Sequence, residues 1–270
     1  MRLASVLATT LALMPALAGA QESGRTPSHC VALAGGTPLL HKASCRDPVP
    51  EETVRLSFVN HATYLLQTAR GLNLATDYTG RLGVDLVPDV VTMNNAHSTH
   101  FTWNPDPRIP HVLPGWEEDG SPADRYLDLG EILIRNVPTT TRDFRGGERD
   151  FGNSIFIFEA AGLCIGHLGH LHHEPTPEQY AMIGRLDVVM VPVDGGLTLD
   201  HPTLIRALQR FRSSIVLPMH WFGEGTLQQF LDGMSGSFRI SRAGTSELEV
   251  SLRSLPSEPT VIVLEPRWLN

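Results

Sequence analysis

The 270-residue chain has no run of basic residues, and its formal charge of −8 is moderate and scattered. A polyanion needs a clustered positive surface, so nucleic acid is not expected as a partner. After the first twenty residues no stretch is apolar and long enough to cross a bilayer, so no membrane anchor is expected. There is also no internal linker and no short-period repeat, which points to one large α/β domain over residues 53–270. Cysteine is scarce, with three in the chain. Cys30 and Cys45 lie in a polar, Pro- and Gly-rich irregular extension over 21–52, where a bridge between them would tie down loose chain. Cys164 falls in the apolar run Gly162-Leu-Cys-Ile and is expected to be a free, buried thiol.

The first twenty residues stand apart. Met1-Arg2 is a weak positive start, Leu3 to Leu17 is apolar but too short to span a membrane, and Ala18-Gly19-Ala20 is a small-residue cleavage signal. This pattern predicts a signal peptide over 1–20, with Gln21 first in the mature chain and a secreted protein, periplasmic in a Gram-negative source.

What the chain does have is clustered histidine. Seven of twelve fall in Asn95-Ala-His97-Ser-Thr99-His100, His167-Leu-Gly-His170-Leu-His172-His173 and Pro218-Met-His220. Each cluster follows an apolar, β-rich run, so side chains from three strand ends can meet on one rim. Neutral imidazoles on rigid strand ends suit a transition metal. Any one cluster taken alone reads as a polar loop.

The periodicity predicts a β-meander over Val54–Val59, Ala62–Thr68 and Leu72–Thr76, then a strand near Val90. A long insert from Phe101 to Arg125 follows, in which Trp103, His111 and Trp116 suggest a packed lid. Strands resume at Ile132–Val137, Ser154–Glu159 and Leu163–Ile165. Thr176-Pro-Glu-Gln179 is a capping box that opens a helix to Ile183. Further helices are expected after Asp200 and from Thr226, with buried strands at Asp187–Val193 and Ile215–Pro218, and closing strands at Glu247–Val250 and Val261–Leu264. Meander, then alternating strand and helix, then strands again implies two packed sheets with helices outside.

With these residues in place the chain resembles the metallo-β-lactamase superfamily, in the branch that includes ascorbate-phosphate lactonase, over about residues 53–265. Asn60-His61-Ala-Thr, Leu74-Ala-Thr-Asp77, His167-Leu-Gly-His170-Leu, Asp187 through Asp194-Gly-Gly, and Leu217-Pro-Met-His220 are similar to that branch's signatures in the same order. The resemblance implies a four-layer αβ/βα sandwich, two mixed sheets flanked by helices. The departures bear on function. The family's His-x-His-x-Asp-His motif lacks its first histidine and its aspartate here, where Asn95 and Thr99 stand. His170 stands where the family places a metal-bridging aspartate, and Thr139 to Arg142 lacks a further family histidine.

The resemblance therefore implies metal ligands at His97, His100, His170 and His220, with His172 and His173 as further candidates and His61 and Asp77 supporting the ligands from behind. His100, His170 and His220 would make a three-imidazole set with a fourth place open to water, a known catalytic zinc arrangement. An imidazole cannot bridge two cations as a carboxylate does, so one Zn2+ is expected rather than a pair. Asp194 either hydrogen-bonds a ligand imidazole or serves as base, and Thr99 or Asp194 would position water. His167 is expected to be structural, and Trp221 and Phe222 to wall the site. Arg142, Arg145 and Arg149 in a Gly-rich loop read as solvated basic positions or as an anion-binding set. The implied activity is hydrolysis of an ester, lactone, amide or phosphoester in a small-molecule substrate. A non-catalytic metal- or ligand-binding member and an iron or copper redox enzyme are the alternatives.

Overall fold

The structure is a computed structural model that describes residues 25–26, 28–31, 45–142 and 147–270. The signal peptide expected over 1–20 and the loop arginine Arg145 lie outside the described residues.

Two mixed sheets face each other. The first takes strands in the order β13-β1-β2-β3-β4-β5, namely Glu247–Val250, Val54–Asn60, Thr63–Thr68, Asn73–Ala75, Val90–Met93 and His111–Pro114. The second has the order β12-β14-β11-β10-β9-β8-β7-β6: Arg239–Arg242, Thr260–Val263, Ile215–Met219, Val188–Pro192, Leu163–His167, Glu148–Ala160, Ile132–Arg142 and Tyr126–Asp128. Apolar side chains fill the space between them, with Leu56, Phe58, Tyr64 and Leu66 from the first sheet against Phe156, Phe158, Met190 and Leu217 from the second. Alternation along each strand sends the next residues outward. Ile155, Ile157, Val189, Val191 and Val216 thus meet Ile183, Leu204, Leu208 and Phe230, which belong to α1 (Pro177–Ile183), α2 (His201–Phe211) and α3 (Glu224–Met234).

Sequence-level caps set the helix starts. Thr176 and Gln179 form the reciprocal capping box of α1, and the Asp200 side chain accepts from Thr203 N at the head of α2. All three helices pack on the second sheet. The outer face of the first is covered by irregular chain, with Leu82, Ile109, Trp116 and Leu269 closing over Leu65, Val91 and Met93.

Three findings revise the expectations. First, the disulfide joins Cys30 to Cys164, while Cys45 is a free thiol. The N-terminal segment docks on the second sheet through Ser28 and His29, which both bind the Glu159 carboxylate, and this carries Cys30 to Cys164 rather than to its nearer neighbour in sequence. Second, the 101–125 insert contributes β5 to the edge of the first sheet, parallel to β4. Its Trp116 is buried while Trp103 is exposed. Third, β7 and β8 run well past the lengths expected from the sequence, 11 and 13 residues, and pair as a long antiparallel arm.

Parallel strands β9, β10 and β11 end on one side of their sheet. Register in the first sheet puts the β1–β2 turn and the ends of β3 and β4 on the facing edge. The crevice outside the carboxyl ends of parallel strands is the usual ligand position in open α/β sheets, and here the histidines are found.

Candidate metal centre

Three of the residues that build the site have left-handed backbone without being glycine: His61 (φ 47), Asp77 (φ 42) and His220 (φ 59). Such a conformation costs on the order of 1–3 kcal/mol per residue and persists only where surrounding structure enforces it. Here the enforcement is explicit. His220 N donates to His61 O at 2.8 Å, and Thr63 Oγ1 donates to Asp77 O at 2.8 Å. Asp77 Oδ1 accepts from Asn94 N at 2.7 Å. The ends of β1, β3, β4 and β11 are thereby stitched together.

The imidazoles converge. Nε2 of His100 lies 3.1 Å from Nε2 of His220, and ligand nitrogens of His61, His100 and His220 all lie within 4.8 Å of one another. The His61 ring sits 4.0 Å from that of His220 between centroids, with its Nε2 buried and lacking a hydrogen-bond partner. His170 stands edge-on to His100 and His220 at 5.1 and 5.4 Å between centroids, and its Nδ1 is also buried without a partner.

Both inner histidines are held from behind by carboxylates. His100 Nδ1 pairs with Asp77 Oδ2 at 2.6 Å. Asp194 Oδ2 lies 3.0 Å from His220 Nδ1, off the line of a full hydrogen bond. A carboxylate partner keeps the ring proton on Nδ1 and leaves Nε2 as a lone pair. With His220 in the same tautomer as His100, the two Nε2 atoms at 3.1 Å present facing lone pairs, which a shared cation would hold together. Burial, reinforced by neighbouring imidazoles, lowers the His61 and His170 pKa values to about 3 and holds His100 well below its ordinary value. Burial pushes the Asp77 carboxyl up to about 6, leaving it ionised at neutral pH. Neutral imidazoles with ionised carboxylates behind them are the protonation states a metal requires, so the donor set fits a divalent cation.

Asp194 is saturated. Oδ1 accepts from the backbone N–H groups of Gly196, Leu197 and Thr198, and Oδ2 from Thr198 Oγ1 at 2.6 Å. Burial works to raise its pKa, but the nearby His220 ring and the hydrogen bonds from Thr198 and Gly196 outweigh it and hold the carboxyl far below the usual carboxylate range.

The remaining histidines fall into separate places. His97 is exposed, its Nδ1 3.1 Å from Thr99 Oγ1, with its ring 5.8 Å from that of His170. The His172 and His173 rings meet edge to face, 5.3 Å between centroids, and bind the backbone carbonyls of Thr140 and Glu174. They are not part of the group formed by His61, His100 and His220. His167 is fully buried, bonded through Nε2 to Ala62 O at 2.8 Å, and accepts from Gly169 N through Nδ1.

Two asparagines absent from the sequence reading hold the His167–His170 loop. Asn94 Nδ2 donates to Ser154 O and His167 O, and Asn153 Oδ1 accepts from His170 N at 2.8 Å. Gly169 is pressed between them, since a Cβ there would meet Asn94 Cβ at 2.4 Å. The Gly in His-Leu-Gly-His was the available signal. A cavity of about 630 Å3 opens in front of the cluster, lined by His97, Thr99, His170 and His220 among others. No described residue of the 101–125 insert lines it, so the insert is not a lid over this site.

Two mixed sheets with few helices, and a histidine cluster at their shared edge, define the α/β architecture of the metallo-β-lactamase fold. The chain belongs to the beta-lactamase superfamily: residues 55–220 match the Beta-lactamase superfamily domain. A protein from Thermoplasma volcanium named UPF0173 metal-dependent hydrolase is 20% identical over 194 residues, covering 62% of this chain and 83% of its own. A protein of the same name from Methanosphaerula palustris is 24% identical, covering 76% of this chain and 97% of its own. Among solved structures, a candidate Zn-dependent hydrolase of the metallo-β-lactamase superfamily from Thermotoga maritima aligns with a TM-score of 0.58 at 24% identity, covering 78% of this chain and 99% of that one. At that identity the likeness to the solved structure is one of fold.

Proposed function

We propose that this protein is a secreted metal-dependent hydrolase acting through one zinc ion held by His100, His220 and His61, with His170 beside them. The facing Nε2 atoms of His100 and His220 at 3.1 Å carry the reading. An imidazole-only set suits zinc better than magnesium or calcium. Asn95 and Thr141, in the region where the family's other metal would be bound, instead hydrogen-bond to each other at 3.3 Å, which supports a single ion. When bound, such a cation supplies Lewis acidity, making water acidic enough to attack near neutral pH and polarising the electrophile.

The chain's own residues do the rest. Asp77 and Asp194 fix the orientation of His100 and His220. Because its lone pairs are taken, Asp194 orients His220 and does not accept the proton. Thr99, which lines the cavity, would orient the nucleophile, and His97, its Nδ1 against that hydroxyl, is the imidazole placed to take the proton. The sequence resemblance to the lactonase branch supports an ester or lactone substrate. Export is part of the same reading, supported by the pattern of residues 1–20 and by the Cys30–Cys164 bridge.

Elemental analysis of the parent and of a His100→Ala, His220→Ala double variant tests the metal. We expect about one equivalent of zinc in the parent and loss in the variant; a stoichiometry near two, or retention by the variant, would overturn the assignment. A non-catalytic metal-binding module is the second reading, favoured by the absence of any carboxylate among the described residues lining the cavity. Turnover of generic esters and lactones, abolished by chelator and restored by zinc, separates the two.

A further inference from the structure

The cavity before the histidines has an uneven wall. On one side stand Arg142 and Arg149, on another Leu197 and Phe222. The two arginines arrive there because the β7–β8 arm extends beyond the body of the sheet, pairing Thr141 with Arg149 and Arg142 with Glu148 at its end. Both are positioned. Arg142 Nη1 donates to Gly196 O at 3.0 Å, which ties it to the loop whose N–H groups bind Asp194. The Arg149 stem lies along the arm over Gly152, where a Cβ would come within 3.0 Å of Arg149 Cγ and Cδ. Among the described residues neither guanidinium has a carboxylate partner. Among the described residues the cavity lining contains no Asp or Glu, and its full side-chain charges are these two positive ones, in a molecule whose net charge is −8.

Leu197 and Phe222 are 59% and 67% exposed. Large apolar side chains left bare at a cavity mouth are a contact surface for an apolar group. Guanidinium forks bind planar or tetrahedral oxyanions through paired N–H donors.

We propose that Arg142 and Arg149 form an oxyanion subsite, and that the substrate is an amphiphile with a carboxylate or phosphate on these arginines, an apolar arm on Leu197 and Phe222, and its scissile bond between them at the histidines. The position of the scissile bond rests on the hydrolase reading; the binding of the anion does not.

Calorimetric titration of the purified protein with hexanoate, hexyl phosphate and the neutral hexanamide tests the subsite. We expect one or both anions to bind at least tenfold tighter than hexanamide, and the stronger of the two names the oxyanion. An Arg142→Gln, Arg149→Gln variant should lose that preference while keeping the parent's metal content and melting temperature. Phe222→Ala should weaken the hexyl ligands but not acetate or inorganic phosphate. Equal binding of all three probes, or an unchanged preference in the arginine variant, overturns the proposal. In a parallel arm, a mono-aryl glutarate should be cleaved at least tenfold faster than the matching neutral butyrate, measured as kcat/KM. Arginine-dependent binding without turnover of either ester would sink the hydrolase reading alone. Equal turnover of both, with no arginine-dependent binding, would sink this inference alone.

Discussion

At the scale of single residues, the site depends on carboxylates that never enter the cavity. Asp77 is fully buried and binds His100 on one oxygen and Asn94 N on the other. Asp77→Asn preserves shape but removes the charge that keeps the proton on Nδ1, so metal affinity should fall about 10–100-fold. Competition with a chelator of known affinity measures this, and an unchanged affinity would show that Asp77 serves the turn only. The histidine clusters were legible in the sequence because they follow apolar strand runs. Which nitrogens converge was not legible. His61 is a lone histidine after Asn60, and its approach to His220 depends on two left-handed residues whose side chains leave the pleat alternation that sequence reasoning must assume. The role of Asn94 and Asn153 was equally hidden, since a latch made of two amides and a glycine has no periodic signature.

Among elements, long buried strands, most helices and the mostly buried edge strand β13 (Glu247–Val250) were readable, and the more exposed short edges were not. The strands missed were β5, β6 and β12, of three or four residues, and each lies at the edge of its sheet. Edge strands are half-exposed and carry little alternation. Pro138 and Gly152 similarly disguised the length of the β7–β8 arm, as both usually signal a strand's end. The N-terminal segment shows how tertiary contacts override sequence proximity. Glu159 collects Ser28, His29 and Arg135, and Cys30 O accepts from Arg185 N, which delivers Cys30 to Cys164. The bridge closes 134 residues, worth about 5 kcal/mol in the chain-entropy treatment and typically about 2–4 kcal/mol in practice. Cys30→Ser should therefore lower unfolding stability by about 2–5 kcal/mol in urea titration. A loss below about 1 kcal/mol would mean that the docking contacts, not the bridge, hold the segment.

For the molecule as a whole, the site couples stability to pH and metal. His61 and His170 have folded pKa values of about 3 against an ordinary 6.5. Between those values the unfolded chain binds more protons, so their contribution is complete above about pH 6.5 and is lost as pH falls toward 3. Asp77, raised to about 6, acts the other way: its contribution is fully present below its unfolded value near 3.8 and is lost as pH rises through about 6. With His100 depressed as well, the imidazoles outnumber it, and metal-free protein should have a lower urea midpoint at pH 5 than at pH 7.5. Equal midpoints would show that the cluster is not held neutral. Free zinc at one hundred times its Kd should add about 2.7 kcal/mol, and chelation should lower the melting temperature accordingly.

The native bridge also sets a problem of order in time. Cys45 is an unpaired third thiol only fifteen positions along the chain from Cys30, and short loops close sooner than long ones. A reduced chain meeting an oxidant should first trap the nearer, wrong pair and then reshuffle through thiolate exchange. Cys45→Ser should then regain native structure faster in oxidative refolding, with fewer mixed species on a non-reducing gel, while the parent gains from added disulfide isomerase and the variant does not.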